Sequence, residues 1–158
     1  MRTDVGLLAF SELVANSSRW ATAEVKKSAE LKDSYAHAAL ATQQEGGSVC
    51  TVLRVLVIAK DELDGEKAGG VSVTVKVPAS LLARPEPTAT LLRLTAPALD
   101  SRTGVRYAGQ GFDGSMDGLP TAGPRAGESV AMGGTPGEFG FSLPHLSAAI
   151  LVVKECTA

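Results

Sequence analysis

One tryptophan, two tyrosines and four phenylalanines are all the aromatic side chains in a chain of 158 residues. Sugar-binding modules present aromatic platforms, so this scarcity speaks against a free-standing glycan binder. Charge of either sign is also lacking in excess: 15 Lys and Arg face 17 Asp and Glu, a net charge of −2. That balance gives no electrostatic case for nucleic acid or for an anionic membrane surface. No apolar stretch reaches the roughly 18 residues of a membrane-spanning helix. The opening segment, MRTDVGLLAFSELVAN, has one arginine followed by Asp4, and Ser11 and Glu12 break its apolar run, so it does not read as a signal peptide. Only two histidines occur, and no H-x-x-x-H, C-x-x-C or G-x-S-x-G is present. Zinc and hydrolase-elbow readings are therefore without support, and no metal or other cofactor is expected.

What is present is periodicity. Thr3 or Asp4 can cap a helix over Val5 to Ala15, with Leu7, Phe10, Leu13 and Val14 on one apolar face. After it the period changes to two. Val71, Val73, Val75 and Val77 alternate with Ser72, Thr74 and Lys76, the mark of a strand with one buried face. Val52 to Ala59 is nearly all apolar, broken only by Arg54, and suits a central strand covered on both sides; Ala148 to Val153 reads the same way. Weaker strand signals lie at 21–25, 35–42, 88–94, 105–108, 129–132 and 138–142, separated by glycine and proline clusters. The expectation is an all-β chain: one short N-terminal helix, then an antiparallel β-sandwich of about eight or nine strands. A three-turn helix, apolar around most of its surface, is an odd start for a free-standing sandwich. It reads as the last element of something larger, giving residues 1–16 as a remnant helix and 17–158 as the sandwich.

The segment RYAGQGFDGSMDGLP, 106–120, admits three readings. Gly109, Gly111 and Gly114 spell G-x-G-x-x-G, but a phosphate loop needs a helix directly afterwards, and the glycines and prolines that follow oppose one. Asp113, Ser115, Asp117 and Gly118 match the first positions of an EF-hand calcium loop, yet its closing glutamate position holds Pro124. The favoured reading is a solvated connection between strands. His37 and His145 read as surface or hydrogen-bonded residues rather than catalysts, and the acidic pair Asp61 and Asp64 in KDELDGEK as a hairpin tip.

Three segments carry a family resemblance. LRVLVIAKD (53–61) resembles the strand of glycoside hydrolase family 79 enzymes that ends in Asn-Lys, with Ala59 standing for the Asn. GVRYAGQGFDGSMDGLPTAG (104–123) is similar to that family's glycine-rich hairpin, and EFGFSLPHLSAAILVV (138–153) to its closing strand pair. VGLLAFSELV resembles the last helix of the catalytic barrel. The family holds β-glucuronidases and heparanase-like enzymes, built as a (β/α) barrel with a β-sandwich attached. Retaining hydrolysis uses two carboxyl groups about 5–5.5 Å apart, and in this family both stand on barrel strands. A barrel needs roughly 200 residues or more, so no glutamate here inherits either role.

The resemblance implies a non-catalytic accessory sandwich. Its partner would be the parent's catalytic barrel, docked on Leu7, Phe10, Leu13 and Val14, with any glycan contact indirect. The alternative is a carbohydrate-binding or adhesive sandwich acting alone. Heparanase-like members tie a cysteine near the first apolar strand to one at the C-terminus, which implies a Cys50–Cys156 bridge; two free thiols are the alternative. A bridge would place the parent in a secreted or lysosome-like compartment. Asn16-Ser17-Ser18 is a glycosylation sequon, of use only if the parent enters that route.

Overall fold

A computed structural model of the chain describes residues 5–15, 17–21, 34–60, 70–78, 87–98 and 101–157. One helix, α1 (Val5–Val14), precedes the strands β1 (Ser17–Ala21), β2 (Ser34–Glu45), β3 (Ser48–Ala59), β4 (Val71–Lys76) and β5 (Thr88–Thr95). Three two-residue strands follow, β6 (Arg106–Tyr107), β7 (Gln110–Gly111) and β8 (Glu128–Ser129), then β9 (Glu138–Leu143) and β10 (Ser147–Thr157). The large sheet runs β1-β2-β3-β10-β5-β6-β7, with β8 also on β5; β4 and β9 pair as a second sheet.

The long strands form where the sequence is richest in β-branched and aliphatic residues. β3, SVCTVLRVLVIA, is buried along most of its length because β2 and β10 flank it and both its faces are covered. Its hairpin with β2 closes through Gly46 and Gly47, at φ 55° and 87°. Two consecutive positive φ angles are what a two-residue turn of matching twist requires, and glycine adopts them without a Cβ penalty.

Alternation along the strands builds two cores. Leu53, Val55, Val57, Leu91, Leu151 and Val153 face Val77, Phe139 and Leu143 of the small sheet and the residue after it. That is the sandwich interior. Arg93 of β5 pins it: its Nε and Nη2 donate to the Glu128 carboxylate at 2.6 and 3.0 Å, and its Nη1 donates to the Ser142 carbonyl of β9 at 2.8 Å. Leu56, Leu92, Ala148 and Ile150 point the other way and gather Leu13, Tyr107, Ala108 and Phe112.

The expected all-β sandwich with its leading helix is therefore what the chain forms. Two details differ. β1 covers Ser17–Ala21, where a strand was expected only from Ala21, and pairing of Trp20 and Ala21 with Ala39 and Ala38 of β2 places it; the rest of the expected strand, 22–25, lies outside the described residues. β7 was not expected; it arises from the tight turn at Ala108 and Gly109 rather than from any apolar pattern.

Candidate functional site

The α1 side of the large sheet holds most of the unusual chemistry. Leu13, expected on a docking face, is 0% exposed against Ala39, Leu56, Leu92 and Ile150 of the chain's own sheet. It is thus removed from any outward surface, and that expectation is corrected: the helix spends its central apolar contact on the sandwich. Phe10 is different, at 49% exposed. Its ring lies 6.4 Å from that of Trp20, tilted by 34°, and Trp20 is 60% exposed. Trp20 pairs across the ladder with Ala39, and Tyr35 with Ile58, so both stand on the α1 side. Lys60 lies over the Tyr35 ring, 5.9 Å from its centre. Val14 is half-buried. Leu7 belongs to α1, while the side chain of Leu7 and the whole of Asn16 lie outside the described residues.

Beneath α1 the charges are unevenly matched. Glu12 of the helix receives a hydrogen bond from Nη2 of Arg125 at 2.8 Å, tying α1 to the long loop after β7. The Arg125 guanidinium lies 5.8 Å from the centre of the Tyr107 ring, within cation–π range. Tyr107 is buried, and its hydroxyl lies beside the Arg125 guanidinium without closing a hydrogen bond of ordinary geometry. Burial holds this phenol well above its ordinary pKa; the Glu12 charge adds to the shift, while Arg125 and Arg54 oppose it. Arg54, the one break in the apolar strand, is 6% exposed, and its Nε and Nη1 have no partner. The sequence signalled Arg54 only as an interruption; Tyr107, Glu12 and Arg125 carried no signal, because nothing in their spacing shows that they converge.

The glycine-rich segment is a built loop. Asp113 accepts hydrogen bonds from the Gly104 amide at 3.1 and 2.9 Å. Asp117 accepts from Ser115 Oγ at 3.2 Å and from the Leu119 amide at 3.0 Å, and those bonds lower its carboxyl pKa. The carboxylates therefore serve the loop's own backbone, and turns follow Gly114 where a phosphate loop needs a helix. Gly118 sits at φ 80°. Asp61 and Asp64 lie outside the described residues.

The remaining candidate chemistry is dispersed. His37 is exposed on β2, and both ring nitrogens of His145, in the turn between β9 and β10, are buried without a partner. Glu12, Glu45, Glu128 and Glu138 are each ion-paired, to Arg125, Lys154, Arg93 and Lys76 respectively. Hydrogen bonding from Arg93 and from Lys76 holds the Glu128 and Glu138 carboxyls below their ordinary pKa, the wrong direction for a general acid. Cys50 and Cys156 form a disulfide with Cα atoms 3.9 Å apart.

Against known proteins, residues 36–150 match the model of the glycosyl hydrolase family 79 C-terminal beta domain, well over half of the chain. No curated protein matches the sequence significantly.

Proposed function

The chain belongs to the glycosyl hydrolase family 79 C-terminal beta domains, and from that premise we propose that it is a non-catalytic accessory sandwich that packs against and stabilises a catalytic barrel. The observation that carries this reading is the grouping of exposed aromatic side chains. Phe10, Trp20 and Tyr35 all lie exposed on the α1 side of the large sheet. Exposed apolar surface gathered in one place marks an interaction site. The paired carboxylates support a non-catalytic role, since Glu12, Glu45, Glu128 and Glu138 are each held by a cation from a different element. Residues 1–16 then belong to the junction with the barrel, and the docking face is Phe10 and Trp20, with the half-buried Val14 of the same helix; Leu7, also of α1, stays a proposed member of that face. The Cys50–Cys156 bridge favours a parent that matures in an oxidising, secreted or lysosome-like compartment, where Asn16 could carry a glycan.

The test is sedimentation of the chain with the barrel of a family 79 enzyme stripped of its own β domain. A one-to-one complex is expected, and Trp20→Ser should weaken it at least tenfold. Two independent species at micromolar concentration would defeat the reading.

A second reading rests on the same aromatic pair. Trp20 and Phe10, with Lys60 over Tyr35, could serve as a glycan platform of a stand-alone module. Titration with glucuronic-acid-containing oligosaccharides discriminates: saturable binding lost in Trp20→Ser supports the platform, and no binding removes it.

A further inference from the structure

A guanidinium in the middle of a sheet face needs a counter-charge. Arg54 stands on β3 between Ala39 of β2 and Val152 of β10, its direct ladder partners. It is 94% removed from solvent by its 6% exposure, and Nε and Nη1 make no hydrogen bond. Leaving a buried charge unpaired is strongly destabilising, and each orphaned buried donor adds to that cost. Tyr107 packs in the same buried cluster as Ala39, the ladder partner of Arg54, and its ring centre lies 5.8 Å from the Arg125 guanidinium. Among the described residues, two guanidinium groups thus share this region with the one carboxylate of Glu12, which is already engaged, 2.8 Å from Arg125.

We propose that Arg54 is the floor of a carboxylate-binding site beneath α1, with the Tyr107 hydroxyl as a neighbouring donor and Arg125 at the rim. The chemistry is specific. An arginine offers only donors, and its planar fork matches a carboxylate. Arg125 is half exposed and already holds the Glu12 carboxylate, so the rim accepts this group. The incoming carboxylate has two sources, a small free acid or an acidic side chain delivered by a packed partner. This site does not depend on the accessory role proposed above.

Thermal unfolding of the full chain tests the proposal at fixed ionic strength, in sodium chloride and then in sodium acetate. In chloride, Arg54→Met should melt at or above the parent, because an apolar side chain removes the unpaired charge. Acetate should raise the parent's midpoint by roughly 3 °C and leave Arg54→Met unchanged if a free acid can enter. Where burial keeps acetate out, Val152→Glu supplies the carboxylate from the neighbouring strand. Its cost should then be smaller with Arg54 present than in the Arg54→Met background, by at least 3 °C. An acetate response points to a small acid; acetate silence with positive coupling points to a partner's side chain. Acetate indifference together with equal Val152→Glu costs in both backgrounds would overturn the site, and so would an Arg54→Met variant that melts clearly below the parent in chloride.

Discussion

Cys50 and Cys156 are direct ladder partners, the penultimate pair in a register that runs from Ser147↔Ala59 to Thr157↔Val49. The bridge therefore closes the far end of the β3–β10 ladder, across a sequence separation of 106 residues. In the chain-entropy view such a closure stabilises the fold by about 4–5 kcal/mol, by restricting the unfolded chain. Denaturant unfolding with and without reductant should show a loss of that order on reduction, and the Cys50→Ala/Cys156→Ala variant should match the reduced protein. Equal midpoints in both conditions would show that the ladder alone holds these ends.

Leu13→Ala should cost about 2–5 kcal/mol, the range for emptying a fully buried leucine site. Deleting residues 1–15 should cost more, because it uncovers Leu56, Leu92 and Ile150 together. Chemical unfolding of both variants is the check. An unchanged midpoint for Leu13→Ala would mean that α1 rests on the sheet without contributing to it.

That burial was not legible in the sequence, and the reason is physical. Helical periodicity identifies an apolar face but not the body that covers it, so Leu13 and Phe10 read alike. The strands Val71–Lys76 and Ser48–Ala59 were legible because burial on one face writes an alternation and burial on both writes a continuous run. β7 and the placement of β1 were not, since turn geometry and pairing set them rather than hydrophobic pattern. The carboxylate-poor cluster around Arg54 comes from four elements that only the topology brings together.

Arg93 joins β5, β8 and β9, so its pairing with Glu128 should show in the pH dependence of stability. The folded-state pKa of Glu128 lies below its ordinary value of 4.5, chiefly through the Arg93 hydrogen bonds. Its contribution is then complete above pH 4.5 and fades as pH falls through the lower folded value. Wild type minus Glu128→Gln isolates this group, because Glu138 and Asp117 shift in the same direction. The difference should be present at neutral pH and vanish in acid. A difference that grows on acidification would contradict the pairing.

Gly123 and Gly118 offer a matched comparison. Both sit at positive φ, 78° and 80°, but a Cβ on Gly123 would lie 2.7 Å from the Gly109 carbonyl oxygen, whereas one on Gly118 meets nothing within 4 Å. Gly118→Ala should cost about 1 kcal/mol for the backbone alone, and Gly123→Ala about 1–3 kcal/mol more through the added clash. Urea midpoints that fall by the same amount would show that the loop around Gly123 yields freely.

Trp20 is the chain's only tryptophan and is 60% exposed on the proposed docking face, so its fluorescence reports that face directly. Adding a family 79 catalytic barrel that lacks its own β domain should shift the Trp20 emission to the blue and saturate at one equivalent, because docking removes the indole from water; the barrel's own emission is subtracted using Trp20→Phe. An oligosaccharide containing glucuronic acid should leave the emission unchanged. A saturable response to the oligosaccharide, with none to the barrel, would contradict the accessory role and establish a glycan-binding module in its place.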